Sequence, residues 1–288
     1  MNAGAPMKKE CIACGGPCGF FGRRRGYTYV RCAVCGTLQL SPLPSAADLE
    51  RAYREEYAKA GQILTDAEGS RASTRTLHAS LVAALKRHGA GPRILDYGTG
   101  WGGLVIQLSA AGFDAVGYDL SEDMVKRCQR DGLRVRSGSI TEVAERELDA
   151  IVLASVFEHL IDPAEWLAEA RARLRPGGLL VTTQPTAHFA GTAGNLARFG
   201  IRSLPLPGLH RVFYPPWHVA LYSLEGMRRV VERAGFRMLE VAPAPQQREP
   251  GLTGAAQRVL ELFNRAGWTL TGLRWPFFTG HNFVFERI

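Results

Sequence analysis

The sequence predicts an α/β protein, with a doubly wound, mostly parallel seven-stranded sheet covered by helices on both faces and a small cysteine-clamped ribbon ahead of it. Three observations lead there. Strand-like and helix-like stretches alternate from Arg93 to Thr183, the signature of repeated βα units. A glycine-rich turn from Gly98 to Gly103 follows the first of those strands. Five of the six cysteines fall within the first 35 residues.

The ribbon comes first in the chain. Cys11-Ile-Ala-Cys14-Gly and Cys32-Ala-Val-Cys35-Gly are two CxxC-Gly units with 17 residues between them, a zinc-site spacing. Each CxxC turn aims two sulfurs at one point, and the following glycine lets the backbone fold back toward the metal. Four such sulfurs make a closed tetrahedral cage, which fits a structural Zn²⁺ better than a catalytic metal or redox thiols. Cys18 is an alternative to Cys14, but the repeated CxxC-Gly grammar favours Cys11, Cys14, Cys32 and Cys35. Strand-like stretches at Tyr27–Arg31 and Thr37–Ser41 flank the second knuckle. A module of residues 1–44 has too little apolar surface to fold alone, so the metal would supply most of its stability.

Residues 45–90 read as a helical linker or cap. Ser45 is a suitable N-cap for a helix to about Tyr57, and a second helix runs from Ala67 to Arg87 before Gly89. The main domain, 91–288, has expected strands at Arg93–Tyr97, Ala115–Asp119, Leu133–Ser137, Ala150–Val156 and Leu179–Thr183. Helices are expected at Gly103–Ala111, Ser121–Asp131 and Pro163–Leu174. The pattern breaks at residues 186–222, an insertion positioned to cover a substrate. It resumes with a helix at Leu224–Ala234, a strand at Arg237–Ala242, a helix near Thr253–Trp268 and a strand at Asn282–Glu286.

The bulk numbers are those of a soluble enzyme, with 46% hydrophobic and 22% charged residues. Neither a secretory signal nor a membrane helix is evident, so a cytoplasmic location is expected. Of the net charge of +8, residues 1–45 carry +5, leaving +3 for the other 243. A nearly neutral main domain argues against nucleic acid as a partner, since nucleic-acid binding usually needs a basic stripe. The Arg23–Arg25 run reads as a solvated loop.

Gly98, Gly100 and Gly103 also satisfy GxGxxG, the dinucleotide fingerprint. Asp96 separates the two readings. A carboxylate at the strand's end repels a pyrophosphate but attracts the ammonium group of a methionine moiety. Asp119 ends the next strand, 23 residues on, where its carboxylate can accept from ribose hydroxyls. Leu120 and Ile140 are placed to sandwich an adenine, with Ser139 at its amino edge.

Taken together, Ile94–Gly102, Gly117–Asp119, Asp149–Leu160 with its Glu158-His159 pair, and Leu174-Arg-Pro-Gly-Gly-Leu179 resemble class I S-adenosylmethionine-dependent methyltransferases. The likeness covers roughly residues 90–185. It extends to a subgroup with an N-terminal zinc ribbon and proline-rich exit, and with Trp217-His218 and Tyr222-Ser223 ahead of a helix ending Ala234-Gly235-Phe236. It implies the Rossmann-like methyltransferase fold and S-adenosylmethionine as cofactor, held by Asp96, Tyr97, Gly98, Thr99, Gly100, Asp119, Leu120, Ser139, Ile140 and Ala154. Ser139 stands where many relatives have an aspartate. Relatives that methylate deoxysugar carbons often carry a further C-terminal domain, for which this chain has no room.

Methyl transfer needs alignment and, for a hydroxyl acceptor, removal of a proton. His218 and His159 are the candidate bases, and His188 and His210 are weaker ones. The 186–217 stretch has no acidic residue, three arginines (Arg198, Arg202, Arg211) and aromatic residues that include Tyr214 and Trp217. With Tyr222, these suit a small, partly apolar and anionic acceptor. A lipid headgroup layer is a weaker fit. The expected function is O-directed methylation of a small molecule in secondary or glycan metabolism. The alternatives are a ribosomal RNA base methyltransferase with a zinc module, a non-catalytic zinc-ribbon binding protein and, least favoured, an oxidoreductase. The sequence does not specify an oligomeric state.

Overall fold

The computed structural model describes residues 10–49, 51–52, 67–189, 213–245, 251–272, 275 and 277–288. At the N-terminus, β1 (Cys18–Arg24), β2 (Tyr27–Cys32) and β3 (Leu38–Leu40) form an antiparallel meander. The main sheet contains β4 (Arg93–Tyr97), β5 (Asp114–Asp119), β6 (Val135–Ser137), β7 (Leu148–Ala154) and β8 (Leu174–Pro185). Past the insertion and the short β9 (Ala220–Leu221), it gains β10 (Phe236–Pro243) and β11 (Gly280–Arg287). The spatial order is β10-β11-β8-β7-β4-β5-β6. Neighbours from β8 to β6 run parallel, and β11 is antiparallel to both β8 and β10. This is the expected seven-stranded, mostly parallel α/β sheet.

Successive strand residues feed opposite cores, as period-two geometry requires. Leu95, Ile151, Leu153, Leu180, Phe283 and Phe285 point into one buried cluster. Ile94, Ala150, Val152, Leu179, Val181 and Val284 point into the other. The helices are α1 (Ala67–Arg87), α2 (Gly103–Ala110), α3 (Glu122–Arg130), α4 (Pro163–Arg173), α5 (Leu224–Arg233) and α6 (Gly251–Thr271). Their starts are chemically marked. Ser121 accepts from the Met124 amide at the head of α3, and Asp162 accepts from Glu165 where Pro163 opens α4.

Several boundaries differ from expectation for local reasons. The strand expected to reach Val156 stops at Ala154, because Ser155 adopts a φ of 60° and turns the chain. The strand expected from Leu133 begins at Val135. β8 starts at Leu174, directly after α4, since Arg-Pro-Gly-Gly is extended and Leu174 pairs with Leu148. The helix expected after Ser45 is present at 46–49 and 51–52, with Ser45 accepting from the Asp48 amide; its continuation lies outside the described residues.

β9 belongs to the ribbon's sheet. Leu38 pairs with Leu221 and Gln39 with Ala220, although more than 180 residues separate the partners. The ribbon cysteines share a buried cluster with Ala220, Tyr222, Met227, Val230 and Val231. The ribbon is thus built into the main domain at the edge that carries residues 213–223. No helix among the described residues is long and apolar enough to cross a membrane.

Candidate active site

The glycine turn is anchored between β4 and β5. The amides of Gly98 and Thr99 donate to the Tyr118 carbonyl at 2.7 and 3.1 Å, and Gly100 donates to Asp119 Oδ2 at 2.8 Å. Gly98 has a φ of 76°, and a Cβ there would lie 2.4 Å from Val156 Cγ2, so only glycine lets the 155–159 turn close over this loop. At Gly100 the same added Cβ would meet nothing within 4 Å, which leaves an open cradle above the strand ends. From outside the sheet, Arg71 of α1 clamps the loop by donating to the Trp101 carbonyl at 2.8 Å and pairing with Asp131 at 2.6 Å. Sequence reasoning missed Arg71, because nothing local marks an arginine in a helix as a loop clamp.

Asp96 is buried, with Oδ2 accepting from Thr99 Oγ1 at 2.7 Å and Oδ1 left without a partner. Burial pushes its carboxyl up to about 7, opposed by the Thr99 hydrogen bond and reinforced by the charge of Asp119. Asp119 is also raised by burial, against the pull of the Ser121 and Gly100 amides. Two carboxylates with poorly solvated negative charge converge on one cradle, an environment that asks for a cation.

The remaining donor-side candidates separate. Leu120 is 71% exposed at the end of β5 and offers a free apolar face. Ile140 is buried, as is Tyr97, whose ring packs on Trp166 with centroids 5.3 Å apart. Ala154 is half-buried at the tip of β7. The Ser139 side chain is already engaged: it caps the 140–142 turn and bonds Glu142 and Thr141 at 2.7 and 2.8 Å. This local role holds the serine within its own turn.

On the acceptor side the structure brings His159 and His218 together, their rings 5.3 Å apart and nearly perpendicular. Between them lies Glu158, wholly buried, with Oε1 3.7 Å from His159 Nε2 and 4.0 Å from His218 Nε2. Burial lifts the Glu158 carboxyl to about 8 and drops His159 to about 3, so His159 is a poor proton acceptor near neutrality. Tyr214 stacks edgewise on His218 at 6.0 Å and lies 6.3 Å from Trp217. Two expected acceptor contacts sit deeper than a substrate surface: Trp217 is 7% exposed and Tyr222 is fully buried, its ring 5.1 Å from Phe157. Tyr222 is a core residue, because β9 pulls the chain into the ribbon's sheet just before it. Arg198, Arg202, Arg211 and His210 lie outside the described residues. His188 points elsewhere, bonding the Trp275 carbonyl at 2.7 Å beside His281.

The four expected ribbon cysteines converge. Cys11 and Cys35 sulfurs are 3.6 Å apart, those of Cys14 and Cys32 are 3.4 Å apart, and all four sulfurs lie within 4.8 Å of one another. A tetrahedral ZnS₄ cage with bonds near 2.3 Å has sulfur–sulfur edges of about 3.8 Å. Gly15 and Gly36, following the two knuckles, have φ of 71° and 78°, the left-handed turn the spacing demanded. Amides of Ala13, Val34 and Cys35 point at the sulfurs at 3.4 Å. The Cys11–Cys35 hydrogen bond lowers the Cys35 thiol and raises that of Cys11. Cys18 stands apart, half-buried, its thiol directed to the Gly16 carbonyl.

Known proteins share this fold. A ubiquinone biosynthesis O-methyltransferase of Methylococcus capsulatus is 36% identical over 98 residues, covering 31% of this chain and 41% of that protein. The protein of the same name from Bradyrhizobium diazoefficiens is 30% identical over 156 residues, covering 50% and 61%. The chain therefore spans less than two thirds of the length of either relative. Among solved structures, a 1,6-didemethyltoxoflavin-N1-methyltransferase of Burkholderia thailandensis superposes with a TM-score of 0.54 at 15% identity, covering 93% of this chain and 98% of that one. The magnesium protoporphyrin IX methyltransferase of Synechocystis superposes with a TM-score of 0.50 at 16% identity, covering 75% and 84%. At these identities the likeness establishes the fold. The model of the methyltransferase domain matches residues 70–241, well over half the chain, and the chain belongs to the methyltransferase-domain family.

Proposed function

We propose that the chain is an S-adenosylmethionine-dependent methyltransferase acting on a small-molecule acceptor, with oxygen as the accepting atom and Zn²⁺ held structurally by Cys11, Cys14, Cys32 and Cys35. The observation that carries this reading is the unpartnered Asp96 Oδ1 at the end of β4, where the chain enters the glycine turn with its open face at Gly100. A buried acceptor with no donor fits the ammonium of a methionine moiety, whereas a pyrophosphate would face both Asp96 and Asp119. Asp119, although two amides already bond it, keeps lone pairs for ribose hydroxyls. The exposed face of Leu120 suits an adenine.

The cofactor, when bound, supplies a methyl group on a sulfonium. The protein's part is to align the acceptor and manage its proton. Held by Asp96, Asp119 and Leu120, the donor would yield that methyl to the acceptor oxygen and keep the C–S bonding pair on sulfur. We assign removal of the hydroxyl proton to the cluster of His218 and Glu158, whose 155–159 turn Val156 ties to Gly98. The names of the ubiquinone-biosynthesis relatives favour oxygen as the accepting atom. Incubation with isotopically labelled donor and either a metabolite extract or ribosomal RNA tests the reading. Label in a small molecule is expected, and label confined to RNA would overturn it.

The arginines of the insertion suit a carboxylate or phosphate on the acceptor. Replacing Arg198, Arg202 and Arg211 singly with alanine is expected to raise KM for at least one variant about 10-fold, as loss of one charged hydrogen bond implies, with donor affinity unchanged. Three variants with parental KM would remove the anionic acceptor from the proposal.

A further inference from the structure

The Glu158, His159 and His218 cluster has an unusual composition for a purely structural feature. Glu158 is entirely buried, and neither of its carboxylate oxygens has a hydrogen-bond partner. Leaving a carboxyl group in this state costs several kcal/mol, whichever protonation state it takes. Protonation lets one oxygen donate to an imidazole but leaves the other oxygen unsatisfied. The two imidazoles present Nε2 atoms toward the same oxygen, at 3.7 and 4.0 Å, and one ligand atom from each residue lies within 4.8 Å of the others. Ligands at about 2.1 Å from one metal ion sit roughly 3 to 3.4 Å apart, so small side-chain rotations close the set.

We propose that Glu158, His159 and His218 form a second metal site, distinct from the ribbon cysteines, which takes a divalent transition ion such as Zn²⁺ or Mn²⁺ on the acceptor side of the donor cradle. Two imidazoles and one carboxylate select such ions over Mg²⁺, which prefers an all-oxygen shell. Three protein ligands leave open positions. Those positions fit an acceptor with two neighbouring oxygens, for example a hydroxyl beside a second hydroxyl or a carboxylate. This choice of acceptor rests on the methyltransferase reading above; the metal site itself does not.

Coordination makes the hydroxyl more acidic. Its proton leaves to solvent, the oxygen forms the C–O bond, and the C–S bonding pair returns to sulfur. In this arrangement His218 is a ligand and not the proton acceptor.

Mn²⁺ distinguishes the two sites, because a four-thiolate cage strongly prefers zinc. The test is a Mn²⁺ titration of the full chain carrying one zinc per chain, which fills the four-thiolate cage and leaves the second site open, followed by electron paramagnetic resonance. Parallel measurements are melting temperature and calorimetric binding of S-adenosylhomocysteine. One bound Mn²⁺ per chain is expected, with affinity at least 10-fold weaker in Glu158→Gln and in His218→Ala. If Glu158→Gln does not fold, His218→Ala, whose side chain is not wholly buried, decides the matter. Absence of Mn²⁺ binding in the folded parent, or equal binding in His218→Ala, overturns the site. Mn²⁺ binding without S-adenosylhomocysteine binding leaves the metal site standing and sinks the donor reading.

Discussion

Replacing Asp96 with asparagine is expected to weaken donor binding and, in the same protein, to raise the melting temperature. The two effects have one cause. Asp96 is buried at the strand end, and burial raises its carboxyl to about 7. The sign follows from linkage. In the unfolded chain the group ionises near its ordinary value, so between roughly pH 4 and 7 the folded form retains a proton that the unfolded form has lost, and stability falls as pH rises through that window. Above about pH 7 the folded protein carries a desolvated charge. Asparagine removes the charge and can still accept from Thr99, so a gain on the order of 1–3 kcal/mol at pH 8 is expected, shrinking toward pH 4. Donor affinity should drop about 10- to 100-fold, since a charged hydrogen bond is worth roughly 1.5–3 kcal/mol. In the parent, donor affinity should rise with pH as Asp96 ionises. Thermal melts and calorimetry across pH 5–9 check both. A variant that is destabilised yet binds the donor normally contradicts the assignment.

Loss of the ribbon metal is expected to damage the acceptor side more than the donor side. β3 of the ribbon pairs with β9, immediately beyond His218, and Leu40 donates to the Val219 carbonyl at 2.9 Å. Ser223 caps α5 through the Gly226 amide at 2.8 Å and also donates its hydroxyl to the Cys35 carbonyl. Arg233 reaches back to the Cys14 carbonyl at 2.7 Å. The cysteines thus hold the 213–223 stretch, whereas Asp96 and Asp119 stand on β4 and β5, two and three strands in from β8. Cys32→Ser should lose zinc and about 3–5 kcal/mol, a fraction of what a structural zinc contributes to an isolated finger. That corresponds to roughly 10 °C in a domain of this size. Turnover should fall at least 10-fold while donor affinity changes little. Ser223→Ala keeps the metal but cuts the link, so it should lower turnover with full zinc content, at about 1 kcal/mol from the lost cap. Cys18→Ser should retain both metal and turnover. Zinc analysis, melting and steady-state kinetics on the three variants check this. Parental turnover in metal-free Cys32→Ser would break the coupling.

Much of this architecture was legible because it rests on local patterns. The βα alternation placed β4 through β8, Asp96 and Asp119 fell at strand ends, and the CxxC-Gly units announced the left-handed turns at Gly15 and Gly36. What stayed hidden depends on long-range contact. β1 was not expected, because a bulge between Phe20 and Gly22 breaks its alternation and the adjoining arginines look like a solvated loop. β9 is two residues long and exists only through pairing with β3. Tyr222 looked like a substrate contact because it follows Trp217 and His218, yet that same pairing draws it into the core. Glu158 was visible only as a neighbour of His159. Its buried, unpartnered carboxylate becomes apparent only when His218, 60 residues on, closes over it.

The donor reading stands on one discrimination, between a methyl donor and a dinucleotide on the same glycine turn. Isothermal titration of the zinc-loaded chain with S-adenosylmethionine, S-adenosylhomocysteine and NAD in turn measures it directly. Binding of the first two at one site per chain, weakened in Asp119→Ala and lost in Asp96→Ala, with no heat from NAD, is the predicted result. Tight NAD binding with none of the methyl donor would contradict the account at its centre.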